Sequence, residues 1–137
     1  MDETGSTDES DSDVDIVLSS YAAFARGDID GAIANLGSDI EWIEPDELPN
    51  GGLRRGPVAV GEYLRAARAQ WDQFISEPSA QRHGENIVVI HHFHGRTIDG
   101  EEGEGTLADV FTMKDGRAIR MKAYVDPNEA FRVDAKD

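Results

Sequence analysis

The fold of this chain is decided by residues 86–97, which read Asn86-Ile-Val-Val-Ile-His-His-Phe-His-Gly-Arg-Thr97. Side chains two residues apart lie on the same face of a β-strand, so a strand sorts its residues into two sets. One set here is Ile87, Val89, His91 and Phe93, and the other is Val88, Ile90, His92 and His94. This alternation predicts a long strand, and it argues against a helix in the second half of the chain.

Similar alternation continues on both sides of this strand. The acidic, glycine-rich residues 99–105 predict a hairpin turn, and residues 106–113 return as a strand with Leu107, Asp109, Phe111 and Met113 on one face. A turn at 114–116 leads to a last strand at 118–125, whose inward residues we predict as Ile119, Met121, Ala123 and Val125. Earlier, Ile40–Glu44 forms a shorter strand in which Glu44 shares the face of Ile40 and Trp42.

Helical periodicity dominates the first half. Apolar residues predict helices at 14–26, at 29–36 after an Asp28 N-cap, and at 57–74, and residues 45–56 form a loop. Helices followed by an antiparallel meander predict an α+β fold, in which a curved antiparallel sheet of four strands wraps the N-terminal helices and encloses a pocket. A chain of 137 residues is expected to form one domain, at 14–132, between a flexible acidic tail at 1–13 and a short tail at 133–137.

The charge and composition of the chain restrict the functions that it can have. The net charge of -15 opposes binding to nucleic acid or to anionic membranes, and there is no cysteine for a disulfide or thiolate site. We find no signal peptide and no stretch that would span a membrane, and we therefore expect a cytoplasmic protein. The basic residues are ten arginines and only three lysines, which indicates adaptation to high salt; an ordinary acidic cytoplasmic protein is the alternative.

Four polar residues on or beside apolar strands are the candidate catalytic groups: Glu44, Asp109, His91 and Asp126. A carboxyl group on a buried strand face loses solvation, so it must be paired, protonated or used on a ligand. Alternatively, Glu44 sits in water at a frayed strand end and Asp109 pairs with Arg120 or Arg54. Asp126 shares the parity of the polar face and enters the pocket only if the strand twists before Pro127.

Three segments resemble a known superfamily. They are Val17-Leu-Ser-Ser-Tyr-Ala-Ala-Phe-Ala-Arg-Gly-Asp-Ile-Asp-Gly-Ala-Ile-Ala-Asn-Leu36, Trp42-Ile-Glu-Pro45 and Asp109-Val-Phe-Thr-Met-Lys-Asp-Gly-Arg-Ala-Ile-Arg-Met-Lys-Ala-Tyr-Val-Asp126. Their order and spacing resemble SnoaL-like, ketosteroid-isomerase-like proteins of the nuclear transport factor 2-like cone fold. The resemblance implies an apolar pocket, commonly in a dimer. It also implies that Glu44 is the general base and Asp109 a protonated acid of the oxyanion hole, as in the ketosteroid isomerases. The family's helix-one tyrosine aligns with Ser20, next to Tyr21.

These observations predict an enzyme that moves a proton on a mostly apolar carbonyl or cyclic substrate, without cofactor or metal. The alternative is a noncatalytic module that binds a hydrophobic ligand. We expect the pocket to be lined by Tyr21, Trp42, Tyr63, Phe93, Phe111 and Met121.

Three weaker patterns remain. His92 and His94 with Glu101 and His83 could hold a metal, but an outer-face position at a dimer contact is favoured. Arg54 and Arg55 precede a helix and could hold an anionic group. The predicted homodimer uses the outer sheet face with Val88, Ile90, Val110 and Thr112.

Overall fold

A computed structural model describes the backbone of residues 3–136 and the side-chain surroundings of residues 12–131. In chain order the elements are α1 (Glu3–Ala25), α2 (Ile29–Ile33), β1 (Leu36–Glu44), β2 (Gly52–Arg55), α3 (Gly56–Ala69), β3 (Trp71–His83), β4 (Asn86–Thr97), β5 (Glu102–Lys114), β6 (Arg117–Tyr124) and α4 (Pro127–Lys136). None of the helices among the described residues has the length and apolarity needed to cross a membrane.

The predicted α+β class is confirmed. Six strands form one curved, unclosed sheet in the order β2-β1-β6-β5-β4-β3. Apolar residues of α1 and α3, among them Val17 and Val60, pack with Ile40, Ile87 and Phe111 on one sheet face. The prediction of a purely antiparallel four-stranded sheet was wrong, because two strands were missed and β1 pairs with β6 in parallel. That pairing joins distant parts of the chain, which local alternation cannot show.

Strand register confirms the predicted faces of the long hairpin. Val89 lies opposite Asp109, and Asp109 lies opposite Ala123 on the next strand. The inward position predicted for Ile119 was wrong: a register shift between Thr112 and Met113 places Ala118 inside, at 4% exposure, and leaves Ile119 41% exposed. A one-residue irregularity moves the following side chains to the other face of a strand. Val125, also predicted inward, lies beyond the end of β6 and is exposed.

The two missed strands flank α3. Residues 52–55, predicted as loop, form β2, and the predicted end of the third helix is the start of β3. Pro78 lies within β3, which forms an outer edge of the sheet. An edge strand tolerates proline because one side of it makes no ladder hydrogen bonds. Leu36, predicted as the end of helix two, begins β1 instead.

The chain ends also differ from prediction. Helix α1 begins at Glu3, well before the predicted Val14. Most of the predicted acidic tail, residues 1–11, lies outside the residues whose side chains are described. The same is true of residues 132–137 at the other end of the chain. The domain boundaries at 14 and 132 therefore stay a prediction.

Helix α4 changes the basis of the predicted dimer. Ala130 and Phe131 pack on the outer sheet face against Val88, Ala108 and Val110, and Val88 is fully buried there. This apolar surface was expected to need a second subunit, but the chain covers part of it with its own helix. The dimer through Val88, Ile90, Val110 and Thr112 stays a prediction, and Val88 is not an exposed residue on this face.

Candidate active site

A cavity of about 250 Å³ opens between the helices and the concave face of the sheet. Of the six residues predicted to line it, five do so, namely Tyr21, Trp42, Tyr63, Phe93 and Phe111. Met121 lies in the adjoining core with 1% exposure. The wall is largely apolar, and three of the candidate catalytic residues, Glu44, His91 and Asp109, reach it from three different strands.

Glu44 is the last residue of β1 and is only 7% exposed. Burial raises the pKa of its carboxyl group, while hydrogen bonds from Trp42 and Tyr63 and the charge of Arg54 act in the opposite direction. The Trp42 Nε1 group donates to Glu44 Oε2 at 2.7 Å. The alternative in which Glu44 stands in water at a frayed strand end is therefore wrong, and the Trp42 indole N–H holds the carboxyl group in the cavity wall.

Asp109 lies in the middle of β5 and is 9% exposed. Burial raises the pKa of its carboxyl group to about 7, a hydrogen bond from Tyr21 lowers it, and the nearby charge of Glu44 raises it. The Tyr21 hydroxyl donates to Asp109 Oδ2 across the cavity wall. Among the described residues Asp109 forms no ion pair with Arg120 or Arg54, so the alternative in which it pairs with one of these arginines is wrong.

The hydroxyl group of helix α1 that contacts Asp109 belongs to Tyr21 and not to Ser20. Both residues line the cavity, but the Ser20 hydroxyl donates back to the Ile16 carbonyl oxygen at 3.3 Å. Burial and the neighbouring Asp109 raise the pKa of Tyr21 well above its usual value, so this phenol keeps its proton at neutral pH. Successive helical residues point about 100° apart, and only the docking of α1 on the sheet decides which of the two meets Asp109.

His91 is buried at 8% exposure between Tyr21, Phe74 and Phe93. Burial lowers the pKa of its imidazole to about 4, with a smaller contribution from His92 in the same direction. The ring is therefore neutral at pH 7. Its Nε2 atom lies 2.8 Å from the Ser76 hydroxyl on β3. Ser76 had no signal in the sequence, because β3 itself was not predicted.

Comparison with known proteins identifies the family of this chain. The profile of the SnoaL-like domain matches residues 17–121. The chain belongs to the SnoaL-like family. By sequence it matches none of the curated proteins.

Solved structures extend the SnoaL-like comparison. An NTF2-like protein of unknown function from Burkholderia pseudomallei is 26% identical, with a TM-score of 0.73, over 88% of this chain and 95% of that one. TerC, co-crystallised with polyporic acid, is 25% identical with the same TM-score of 0.73, over 92% and 99% of the two chains. A protein of ketosteroid-isomerase-like fold from Catenulispora acidiphila, in complex with trimethylamine, is 13% identical with a TM-score of 0.70 over 80% and 83%. This last likeness shows the fold alone.

Asp126 is not part of the SnoaL-like pocket. Its side chain is exposed, and Oδ1 accepts a hydrogen bond from the Asn128 backbone N–H at 2.9 Å at the start of α4. The strand ends at Tyr124, so no twist turns Asp126 inward. A short side chain that accepts from the backbone two residues on is a helix-capping arrangement, which accounts for an aspartate here.

The outer histidines also lie away from the pocket. His92 Nδ1 is 2.9 Å from the Thr106 hydroxyl, and His94 Nε2 is 3.9 Å from a Glu77 carboxylate oxygen. Within residues 12–131, no three His, Asp or Glu side chains converge in a way that could hold a metal ion. The two histidines share the outer face, as the alternation indicates.

Proposed function

We propose that this SnoaL-like protein is an acid–base enzyme that moves a proton on a small, mostly apolar carbonyl or cyclic substrate. The observation that supports this most is the placement of Glu44 and Asp109 in the wall of one apolar cavity, with Asp109 bonded to Tyr21. A buried carboxyl group with a purely structural role would not require a second buried carboxyl group near it. Two carboxyl groups in different environments can take opposite roles, one as base and one as acid.

In the proposed reaction the Glu44 carboxylate removes a proton from the carbon next to the substrate carbonyl. Negative charge then develops on the carbonyl oxygen, and a protonated Asp109 stabilises it by donating a hydrogen bond. Tyr21 holds Asp109 in place by donating to Oδ2. Return of the proton from Glu44 to another carbon completes an isomerisation without any cofactor. Neutral His91 assists by offering a further hydrogen bond inside the cavity.

The protonation states give this proposal a pH dependence. Burial raises the pKa of Asp109 to about 7, so its acid form is lost as the pH rises through that value. Burial also raises the pKa of Glu44, and its base form is lost at lower pH. Activity should therefore be greatest on the acidic side of neutrality and should fall on both sides of that optimum.

The cavity limits the substrate. A volume of about 250 Å³ lined by aromatic and aliphatic side chains suits a compound of one or two rings with few polar groups. TerC, which has a similar structure, was co-crystallised with polyporic acid, and this supports a small organic ligand in this fold. The alternative, a noncatalytic binding module, is favoured by one observation: Glu44 already receives hydrogen bonds from Trp42 and Tyr63.

Deuterium exchange tests the two proposals. Wild-type protein is incubated with a cyclic ketone such as 2-tetralone in deuterated buffer, and loss of the protons next to the carbonyl is followed by NMR. Glu44→Gln should lower the protein-dependent exchange at least about 100-fold, because general-base catalysis contributes that much. Glu41→Gln is the matched control: it lies on the same strand, is partly exposed and pairs with Arg55 at 3.0 Å. Ketone binding without any protein-dependent exchange would favour the binding module instead.

A further inference from the structure

The two ring nitrogens of His91 lie in different surroundings. The Nε2 atom is 2.8 Å from the hydroxyl oxygen of Ser76, on the edge strand β3. The Nδ1 atom forms no hydrogen bond among the described residues. Only Arg54 Nη1 is both fully buried and unpaired in that part of the chain, so Nδ1 keeps some accessible surface. Because His91 lines the cavity, Nδ1 is the atom of this side chain that a ligand can reach.

Three aromatic rings hold the His91 imidazole in place. Its centre lies 4.7 Å from the centre of the Tyr21 ring, 5.2 Å from that of Phe93 and 6.3 Å from that of Phe74. None of the three competes for the ring nitrogens, since two are hydrocarbons and the Tyr21 hydroxyl donates to Asp109. Burial lowers the pKa of His91 to about 4, so the ring is neutral at pH 7. A neutral imidazole carries one proton, on one of its two nitrogens.

The Ser76 hydroxyl decides which nitrogen of His91 carries that proton. Ser76 is half-buried, and within residues 12–131 its hydroxyl has no other hydrogen-bond partner. If Nε2 carried the proton and donated it to the Ser76 oxygen, the hydroxyl proton would have no protein acceptor. When Ser76 donates to Nε2 instead, both groups are satisfied and the proton of His91 is on Nδ1. The distance of 2.8 Å is typical of a hydroxyl donor.

We propose that Ser76 is a positioning residue that fixes His91 with its proton on Nδ1, and that this N–H selects ring compounds with a second acceptor oxygen. The first oxygen is the carbonyl oxygen at Asp109, so this inference rests on the proposed function. Asp109 lies opposite Val89, two residues from His91 on the same strand face. Such diagonal neighbours are about 7–8 Å apart. This spacing suits two oxygens on opposite sides of a ring better than one shared oxygen.

Two probes of equal size test the second oxygen: 1,4-diacetylbenzene, and 4-isopropylacetophenone, in which an isopropyl group replaces one acetyl group. The affinity ratio of diketone to monoketone is measured by NMR titration at pH 7. A neutral hydrogen bond changes affinity by about two- to tenfold. We expect Ser76→Ala to lower the ratio by this factor and Ser76→Thr, which keeps a hydroxyl, to retain it. Ser79→Ala is the control on an exposed position of the same strand and should leave the ratio unchanged.

Nitrogen-15 NMR of the His91 imidazole detects the position of the proton without ligand or turnover. In the wild type, Nδ1 should be protonated and Nε2 unprotonated, and Ser76→Ala should give a mixture of the two forms or the reverse form. A protonated Nε2 in the wild type, or the wild-type spectrum in Ser76→Ala, would overturn the inference. If Ser76→Ala does not fold, the wild-type spectrum alone decides.

The binding data contradict the inference in two further cases. Equal weakening of both probes by Ser76→Ala, with an unchanged ratio, would make Ser76 a packing residue. An equal fall of the ratio in Ser76→Ala and Ser79→Ala would make the effect independent of His91. None of these measurements depends on catalysis, so failure of Glu44 as a base is observed separately, in the deuterium exchange of Glu44→Gln.

Discussion

Replacing Asp109 with asparagine tests the burial of this acid through its effect on stability. The amide oxygen can still accept the Tyr21 hydrogen bond, but the side chain no longer ionises. In the wild-type protein, burial raises the pKa of Asp109 to about 7, from a usual 3.8. A raised folded-state pKa means that the folded protein holds this proton more tightly than the unfolded chain. The resulting stability is fully present below about pH 4 and is lost as the pH rises through about 7.

The magnitude follows from the two pKa values. Each pH unit between them changes the free energy of unfolding by about 1.4 kcal/mol, so the wild type should lose about 3 kcal/mol between pH 5 and pH 8 through this group. The Asp109→Asn variant does not lose this free energy of unfolding, because its side chain does not ionise. His91 acts in the opposite direction, because burial lowers its pKa to about 4 and its contribution to stability grows as the pH rises towards 6.5. His91 is present in both proteins and cancels in their difference.

The assay is urea unfolding of both proteins at pH 5, 6, 7 and 8, followed by tryptophan fluorescence. The advantage of Asp109→Asn over wild type should grow by about 3 kcal/mol from pH 5 to pH 8. Asp126→Asn is the control, since it is the same chemical change at an exposed position. A difference between Asp109→Asn and wild type that stays constant within about 0.5 kcal/mol over this range would refute the burial of an acid that resists ionisation.

Two further predictions concern the neighbours of the site and the outer face. Tyr21→Phe removes a hydrogen bond that lowers the pKa of Asp109, so carboxyl NMR should find that this pKa rises further; an unchanged or lower value would contradict the Tyr21–Asp109 contact. Phe131→Ala removes part of the cover over Val88 and Val110 and should destabilise the protein by about 2 kcal/mol, measured by urea unfolding. Light scattering of the same variant should detect self-association through the uncovered face, and an unchanged stability would mean that α4 does not pack there.

The local sequence pattern was sufficient to predict the main strands and the strand faces of three candidate site residues. Alternation placed Asp109 with Phe111 and His91 with Val89, and the register of β4 and β5 confirms both. These assignments succeed because the side-chain period of a strand is set by the backbone itself, whatever the strand pairs with. The same parity placed Glu44 with Trp42 on the pocket face.

The remaining features depend on how distant segments meet. The choice of Tyr21 over Ser20 depends on the rotation of α1 against the sheet, and the bond between Ser76 and His91 depends on an edge strand with little alternation of its own. Cover of the outer face by Phe131 depends on the chain turning back after β6. The sequence by itself determined which faces are apolar and which acids lie on them. Only the tertiary structure decided which hydroxyl meets Asp109 and which hydroxyl meets the His91 imidazole, because those contacts join residues far apart in the chain.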